Sequence, residues 1–478
     1  MVFQSFDFIL HFLVLLVLLV FIPIRFRNIL LLTFCYYFYI RFSTTFIYYL
    51  LIITVLNYFI AIQIQRVPNL IQKKILLSLS LLICISILAY FKIFAGIISS
   101  IKNSNSTFNI VSNTIIPVGM SFYMFQSIAY IIDVYKGRII PEKNIIHFSL
   151  FSSFFAQLLA GPIERAQNLL PQLKGPIRIT SYNFHVGFKF FLWGFFKKVL
   201  VADKLELIAS PIFNQPSLFH GSQTIIGIIA YSFQIYCDFS GYCDMGMGLA
   251  KILGIELSLN FFRPYTATSF RDFWQRWHIT LMKWFRTFIY IPLGGSKVYI
   301  VLWIRNLFIV FFLSALWHGV TLPFIIWGML HFSYYFFERI IYQNSNLEKI
   351  IPRIIKQLSV FTLVCFAWIF FRSSTIQDAL TMVGNMFSFN HLDSPISFSN
   401  GIFSLNNSLK FNYIQLMSIL LPFLIFIIFE FFGLIDKYFK EHENGELNIT
   451  EIAFVNIVFV LSFFLIVTPS QQFIYFQF

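Results

Sequence analysis

Charged residues are scarce in this chain. Asp, Glu, Lys and Arg together make up 11% of the 478 residues, whereas 58% of the residues are hydrophobic and the mean hydropathy is +0.77. A soluble domain cannot bury that much apolar surface, so the composition excludes a soluble protein and predicts one that crosses a membrane several times. The chain has 20 acidic and 34 basic residues, so basic residues are in excess. We attribute this excess to basic cytoplasmic loops and anionic lipid rather than to nucleic-acid binding.

Cysteine is rare as well, and a cleavable signal peptide is not evident. The five cysteines form no CxxC pair and lie in or beside apolar runs, so we predict buried packing residues rather than a disulfide or a metal site. The first apolar run, near residues 8–24, has no basic segment before it and no small-residue cleavage site after it. We therefore expect it to remain in the protein as a first membrane span.

Apolar runs recur along the whole chain. A helix needs about 20 apolar residues to cross a bilayer. Candidate runs lie near residues 8–24, 28–40, 44–63, 75–96, 114–132, 145–160, 184–201, 223–240, 298–317, 320–342, 355–371, 411–434 and 451–468. Because several runs are short, we predict an all-α polytopic membrane protein with about eleven crossings, further re-entrant or interfacial helices, and a single domain over residues 1–478. No internal repeat is evident, which argues against a transporter built from inverted repeats.

Charges in the loops predict the orientation of the chain. Arg25, Arg27 and Arg41 follow the first apolar run, whereas the residues before it carry one acidic side chain and no basic one. Cytoplasmic loops are enriched in Lys and Arg, so we expect the N-terminus on the extracytoplasmic side. We expect outward loops at the polar segments 99–112 and 388–408.

Residues 271–288 combine charge with tryptophan. An apolar row recurs there at spacings of three and four residues, namely Trp274, Trp277, Leu281, Trp284 and Phe288. A polar row recurs in the same way, namely Arg276, Thr280, Lys283 and Thr287. The two rows predict one interfacial helix, with its rings towards lipid or core and its cations towards headgroups or an anionic ligand. We expect Pro292 and the pair Gly294–Gly295 to end this element.

His318 is the one titratable side chain in a long apolar run that ends in SALWHG. A lone buried histidine is most often satisfied by a backbone carbonyl, but an ionisable group at membrane depth is costly and marks a functional site by default. A neutral imidazole with a pKa near 6.5 can accept a proton at physiological pH, as a general base must. His318 is therefore the first catalytic candidate, and His278, beside the Trp274 row, is the second.

Two short motifs are interpreted as structural. The run PVGMSFY at 117–123 resembles half a nucleophile elbow, but Tyr123 stands where that turn needs glycine, so we predict a helix entry. The run AGPIER at 160–165 predicts a tight turn that ends an apolar span. We expect Glu164 and Arg165 to form a local ion pair there.

Two carboxylates lie in the apolar run YCDFSGYCDMGMG at 236–248. Asp238 and Asp244 are six residues apart, so they do not share a face of a regular helix and do not predict an acid/base pair. Gly241 between them suggests a break. Asp238 either holds a histidine or arginine within the bundle or has a purely structural role.

These stretches together resemble the membrane-bound O-acyltransferase (MBOAT) family, in its bacterial branch of alginate O-acetylation proteins and peptidoglycan O-acetyltransferases. The similarity covers nearly the whole chain, and the combination of DFWQRWHITL with SALWHG is the most specific part. Matching stretches are 117–123, 155–165, 194–203, 236–248, 260–265, 272–295, 305–318, 327–331, AWIFFR at 367–372 and the terminal FIYFQF. Cys243 departs from the branch, which commonly has serine there.

The resemblance implies helices around a central tunnel that links the cytoplasm to the far side of a bacterial cytoplasmic membrane. It implies acyl transfer from a cytoplasmic thioester, acetyl-coenzyme A or an acyl carrier, to hydroxyls of an extracytoplasmic polysaccharide, with no bound cofactor or metal. His318 and His278 match the family's two histidines. Candidate substrate-binding residues are Arg276, Lys283, Arg286, Trp317, Asp238 and Asn306. A separate SGNH-type partner, anchored in the membrane or periplasmic, is expected to receive or deliver the acetyl group.

Three other functions remain open on the sequence. The nearest is D-alanyl transfer to teichoic acid by a member of the same family, although AWIFFR at 367–372 and the terminal FIYFQF favour the acetyl branch. A transporter for a polar substrate and a scaffold for envelope assembly are further alternatives. A transporter would not need both the RWH and the LWHG sequences.

Overall fold

The structure is a computed structural model, and it describes residues 2–42, 44–94, 117, 119–343, 351–389, 397–399, 402–405 and 409–432. Nearly all regular structure in these residues is helical, as the sequence predicts. The α-helices are α1 Phe6–Phe21, α2 Ile24–Ile40, α3 Phe46–Arg66, α4 Leu70–Ala89, α5 Met120–Tyr135, α6 Ile145–Ser153, α7 Phe155–Leu158, α8 Ala166–Lys174, α9 Ser181–Phe195, α10 Asp203–Asn214, α11 Ser222–Ile252, α12 Phe270–Arg276, α13 Ile279–Phe285, α14 Ile300–His318, α15 Leu322–Gln343, α16 Arg353–Arg372, α17 Ile376–Asn385 and α18 Tyr413–Phe431.

Shorter elements connect several of these helices. Segments of π-helix cover Tyr90–Phe94, Phe196–Ala202 and Arg286–Tyr290, and 3-10 turns cover Pro216–Leu218 and Pro264–Thr266. A small antiparallel sheet, which the sequence did not predict, orders its strands as β1 Ser397–Ser399, β2 Ile402–Ser404 and β3 Lys410–Asn412. In its register Phe403 lies opposite both Phe398 and Phe411.

Five helices in the described part of the chain are long and apolar enough to cross a membrane. They are Phe46–Arg66, Leu70–Lys92, Ile300–His318, Arg353–Arg372 and Tyr413–Phe431, and two shorter apolar helices are Phe6–Phe21 and Ile145–Leu158. The prediction of a helical membrane protein is confirmed, whereas the count of about eleven crossings and the central tunnel stay predictions. The outward loop at 99–112, the apolar run at 451–468 and the terminal FIYFQF lie outside the described residues.

The chain groups into two compact units. The first contains residues 1–191, 242–260 and 283–288, and the second contains residues 192–241, 261–282 and 289–478. The prediction of a single membrane domain stays a prediction.

In the first unit, the motif at 117–123 is a helix entry, as predicted. Gly119 has φ 74° and begins α5, and a Cβ atom there would lie 2.3 Å from the carbonyl oxygen of Leu158. Only glycine fits this left-handed turn and this close approach. The predicted ion pair between Glu164 and Arg165 is wrong, because Arg165 pairs with Asp133 at 2.5 Å.

Glu164 instead forms hydrogen bonds to other residues of the first unit. It is buried and accepts hydrogen bonds from the backbone N–H of Ser258 and from Asn168 Nδ2, the latter at 2.7 Å. Burial raises the pKa of Glu164, and these hydrogen bonds oppose that rise. The carboxylate therefore fixes the 160–165 turn against a loop far along the chain.

In the second unit, the packing of α14 on α15 depends on small side chains. A Cβ atom at Gly328 would lie 2.7 Å from Ala315 Cβ and 2.9 Å from the carbonyl oxygen of Phe311. Glycine at this position lets the two helices approach closely, as small residues do between helices in membranes. The approach brings Trp327, next to Gly328, against the end of α14 where His318 lies.

Candidate active site

The stretch 271–288 is not one helix, and this prediction is wrong. Helix α12 begins at Ser269, whose hydroxyl accepts from the backbone N–H of Asp272 at 2.9 Å, and it ends at Arg276. Trp277 is extended and His278 has φ 45°, a left-handed conformation that costs a non-glycine residue roughly 1–3 kcal/mol. Helix α13 follows at Ile279. The predicted end of the element is confirmed, since Gly294 and Gly295 both have positive φ after Tyr290.

The backbone break places the His278 ring in the aromatic interior of the second unit. The side chain is 1% exposed, and its ring lies 4.8 Å from Phe239, 6.2 Å from Phe261 and 6.2 Å from Trp317 between centroids. Burial lowers the pKa of His278 to about 3. The imidazole is therefore neutral at physiological pH, with one nitrogen able to donate and the other to accept a hydrogen bond.

His318 is the last residue of α14 and is 6% exposed. Its ring lies 4.9 Å from Trp327 and 5.0 Å from Phe371, both in edge-to-face geometry, and 6.4 Å from Phe324. Gly319 follows with extended backbone, and a Cβ atom there would lie 2.4 Å from the Phe324 ring. The glycine thus allows Phe324 to pack beside the histidine.

Trp317 joins the two histidines. Its ring centroid lies 4.5 Å from that of His318 and 6.2 Å from that of His278. Three residues that the sequence singled out therefore belong to one cluster, which we call the histidine cluster: His278, Trp317 and His318.

Asp238 lies in a different environment. Its carboxylate is 2.5 Å from Lys198 Nζ, and the same ammonium group is 2.8 Å from Asp203. All three side chains are buried, so we call them the buried ion cluster. The expectation that Asp238 holds a histidine or arginine is wrong in the identity of the cation, which is lysine. Its predicted role in substrate binding has no support in these contacts.

The helix break expected at Gly241 is also wrong, because α11 is continuous from Ser222 to Ile252. A Cβ atom at Gly241 would lie 2.7 Å from the carbonyl oxygen of Gly194 and 3.0 Å from the backbone nitrogen of Lys198. Glycine is needed here for close packing rather than for a break. That packing brings the π-helical segment Phe196–Ala202 against α11, and with it Lys198 towards Asp238.

The three cations proposed for substrate binding are placed differently. Arg276 lines a cavity in the second unit, and its Nε donates to Asp272 Oδ1 at 2.6 Å. Lys283 and Arg286 are exposed and belong to the first unit. The polar row that placed Arg276 and Lys283 on one helix face does not exist, because the helix is interrupted at Trp277 and His278.

Asn306 is fully buried in α14 and fixes a turn. Its Nδ2 donates to the carbonyl oxygens of Leu293 at 3.0 Å and Gly295 at 3.2 Å, and its Oδ1 accepts from Arg305. These bonds hold the turn that precedes α14, so the geometry gives Asn306 a structural role. Its predicted contact with substrate has no support here.

Sequence reasoning missed several polar residues of the second unit. His331 is fully buried, and its ring lies 4.8 Å from that of Trp274 and 5.2 Å from that of Trp327. Lys198 was not predicted, although it is an ionisable residue in the apolar run FFKKVLVA. An ionisable residue in an apolar run is the pattern that identified His318. Nothing in the local sequence brings Arg353 to Arg276, since these cations are separated by 77 residues.

The fold and the site together define an integral membrane protein with imidazole groups buried among aromatic rings. Residues 138–376, which include the histidine cluster, match the membrane-bound O-acyltransferase family, MBOAT. A probable alginate O-acetylase of Pseudomonas putida is 36% identical over 374 residues, which are 76% of each chain. A peptidoglycan O-acetyltransferase of Helicobacter pylori is 33% identical over 363 residues, covering 70% of this chain and 69% of its own.

A more distant relative is a teichoic acid D-alanyltransferase of Bacillus subtilis, 26% identical over 247 residues, which are 48% of this chain and 61% of the relative. The chain belongs to the membrane-bound O-acyltransferase family. It is therefore a membrane acyltransferase, and the resemblance drawn from the sequence is confirmed.

Proposed function

We propose that the protein transfers an acetyl group from a cytoplasmic thioester, across the membrane, to hydroxyl groups of an extracytoplasmic polysaccharide. The observation that carries the proposal is the histidine cluster, in which two buried imidazoles lie near the Trp317 ring, at 6.2 Å and 4.5 Å between centroids. The relatives support acetyl as the transferred group, since those named for O-acetylation are 33–36% identical and the D-alanyl transferase is 26% identical.

In this proposal His318 is the general base. Its neutral imidazole takes the proton of the acceptor hydroxyl while the hydroxyl oxygen attacks the thioester carbonyl. The tetrahedral intermediate collapses by breaking the carbon–sulfur bond, and the imidazolium returns its proton to the leaving thiolate. Proton transfer by a positioned side chain is typically worth about 10²–10⁴ in rate.

His278 stabilises the oxygen that gains charge in the intermediate. Because burial keeps this ring neutral, it offers one N–H donor without the cost of a buried cation. A donor fixed in a dry site stabilises an oxyanion more strongly than water does. The left-handed backbone at His278 is consistent with this role, since strained conformations cluster at functional sites.

The setting of the reaction is part of the proposal. About eleven crossings, with re-entrant helices, surround a tunnel through a bacterial cytoplasmic membrane. Acetyl-coenzyme A, or a carrier charged from it, supplies the acetyl group from the cytoplasm, and no bound cofactor or metal takes part. An SGNH-type partner passes the group to peptidoglycan or to an exopolysaccharide such as alginate.

The first prediction tests the base. His318→Ala should lower transfer at least about 100-fold, because no imidazole is left to take the hydroxyl proton. The protein is reconstituted in liposomes that contain labelled acetyl-coenzyme A. An SGNH-type partner and the polysaccharide are added outside, and the label on the polysaccharide is counted. The matched control is His185→Ala, a half-buried histidine of the first unit, which should retain full transfer.

Each alternative outcome has a distinct meaning. Full transfer by the His318 variant would refute the general base. If labelled acetyl-coenzyme A moved out of the liposomes chemically unchanged and the polysaccharide were not acetylated, the protein would be a transporter. Transfer from a D-alanyl carrier protein, with none from acetyl-coenzyme A, would establish the teichoic-acid reaction instead.

A further inference from the structure

A buried acidic residue lies near the end of α18. Glu430 is the one charged residue in the sequence of this apolar helix, and it is 4% exposed. An ionisable group inside a membrane span is costly and marks a functional site by default. The proposed reaction does not use this carboxylate, so its contacts with other residues indicate its role.

Glu430 binds a tyrosine of α11. Its Oε1 accepts a hydrogen bond from the hydroxyl of Tyr236, which is also buried. Hydrogen bonds that involve a charged group are about twice as strong as neutral ones. Phe426, one turn before Glu430 in α18, packs on the Tyr236 ring at 6.0 Å between centroids. Helix α18 therefore fixes both the hydroxyl and the ring of Tyr236, and we call the Tyr236–Glu430 hydrogen bond the α18 tether.

A buried cation lies beside the α18 tether. Lys197 is 3% exposed, and its Nζ lies 5.8 Å from the centroid of the Tyr236 ring and donates to Ser240 Oγ at 2.8 Å. The ammonium group near the ring and the carboxylate at the hydroxyl have opposite charges, which reduces the cost of burying either one. A test of the tether must therefore separate the hydrogen bond of Glu430 from its charge.

The Tyr236 ring lies against the residue that precedes His278. Its centroid is 6.1 Å from that of Trp277 and 6.1 Å from that of Phe261. Phe261 in turn packs edge-to-face on Trp277 at 5.1 Å and lies 6.2 Å from the His278 ring. The rings of Tyr236 and Phe261 therefore limit the positions that Trp277 can adopt.

The left-handed backbone of His278 requires support of this kind. A non-glycine residue with φ 45° persists only where the surrounding structure over-determines its conformation. One support is a hydrogen bond from the backbone N–H of Phe262 to the carbonyl oxygen of Arg276, at 2.9 Å, just before the break between the two helices. The ring of Phe239 at 4.8 Å from His278 is another. Tyr236 adds a third through Trp277, and Glu430 fixes it.

We propose that Glu430 is a positioning residue for His278 and acts through Tyr236 and Trp277. The carboxylate fixes the tyrosine ring, the ring limits the position of Trp277, and Trp277 sets the backbone of the next residue, His278. Without the α18 tether the break relaxes and the imidazole leaves the position in which it can stabilise the oxyanion. The consequence for turnover rests on the proposed function, whereas the consequence for the surroundings of the His278 ring does not.

The second prediction tests the α18 tether with Glu430→Leu and Tyr236→Phe, each of which removes the hydrogen bond. In the liposome assay kcat should fall by about tenfold, because a displacement below about 1 Å costs only part of the 100-fold that a full misplacement costs. The KM for acetyl-coenzyme A should not change. Glu430→Gln removes the charge but keeps an oxygen acceptor, so it should retain most of the wild-type kcat. If Glu430→Leu does not fold, Tyr236→Phe, which lacks only one oxygen atom, still tests the tether.

The surroundings of His278 are measured without turnover, by NMR of protein that contains isotope-labelled histidine. The imidazole signal of His278, identified by its absence in His278→Asn, should shift in Glu430→Leu and Tyr236→Phe and keep its position in Glu430→Gln. These shifts in a protein without acyl transfer would support the positioning role while the proposed function fails.

The matched control is Tyr58→Phe, which removes a tyrosine hydroxyl that donates to the carbonyl oxygen of Lys143 in the first unit. It should leave both kcat and the His278 signal unchanged. An unchanged His278 signal in both tether variants would overturn the proposal. So would wild-type kcat in a folded tether variant of an active enzyme, or changes of equal size in Tyr58→Phe.

Discussion

Gly319→Ala should disturb the histidine cluster by steric overlap alone. Residue 319 has extended backbone, with φ 179°, so alanine meets no backbone strain. Its Cβ atom, however, would lie 2.4 Å and 2.5 Å from two carbons of the Phe324 ring. Ordinary van der Waals contact begins at 3.4 Å, so the ring or the backbone must move by 3.4 − 2.4 = 1.0 Å.

The displacement acts directly on the proposed base, because Phe324 packs on both His318 and Phe371. A misplacement of about 1 Å can cost on the order of 100-fold in rate, and overpacking costs about 1–3 kcal/mol of stability. We expect kcat to fall by about 100-fold with a small decrease in Tm. Both are measured in the liposome transfer assay and by thermal unfolding in detergent.

Gly384→Ala in α17 is the matched control, because the described structure places no heavy atom within 4 Å of its added Cβ. A helical alanine there should keep full activity and raise stability by about 0.5–1 kcal/mol. Adding Phe324→Leu to Gly319→Ala should restore part of the activity by making room for the new methyl group. Wild-type kcat in Gly319→Ala itself would refute the assignment of this packing to the active site.

Two further predictions concern the buried ionisable groups. Burial lowers the pKa of His278 to about 3 in the folded protein, whereas a histidine in the unfolded chain has a pKa of about 6.5. As the pH falls below about 6.5, the unfolded chain takes up a proton that the folded protein does not, so the folded protein becomes less stable. Between pH 7.5 and 5 the Tm of His278→Asn should therefore decrease less than that of the wild type, and equal decreases would contradict this. Lys198→Met should destabilise the protein by about 3–5 kcal/mol, because Asp203 and Asp238 lose their shared cation. Adding Asp238→Asn should recover part of that loss in denaturant unfolding; strictly additive losses would exclude the coupling.

Much of the fold was predictable because bilayer thickness imposes long apolar runs, and α14, α16 and α18 each coincide with one. His318 was predictable for a related reason, since an ionisable residue stands out in such a run. The break before His278 was not predictable. The tryptophan spacing continues across it, and the left-handed backbone is stabilised by rings from distant parts of the chain, Phe239 and Trp317.

Gly241 shows the same limit in another form. A glycine within a polar stretch of an apolar run predicts a break, yet α11 continues through it. Glycine is required at this position because the backbone at Gly194, 47 residues earlier in the chain, packs closely against it. The local sequence around Gly241 does not predict this contact. The pairing of Lys198 with Asp238 depends on the same approach and was hidden for the same reason.

The second unit buries ionisable groups in two different ways, and the difference separates stability from chemistry. Lys198 is shared by two buried carboxylates, so the loss of its proton would leave Asp203 and Asp238 without their cation. His278 and His318 are packed against aromatic rings and need no counterion while they are neutral. A general base gains and loses a proton in every catalytic cycle. A group that is neutral at rest can take up the proton and then become neutral again by releasing it. For this reason we propose the histidine cluster, rather than the buried ion cluster, as the place of proton transfer.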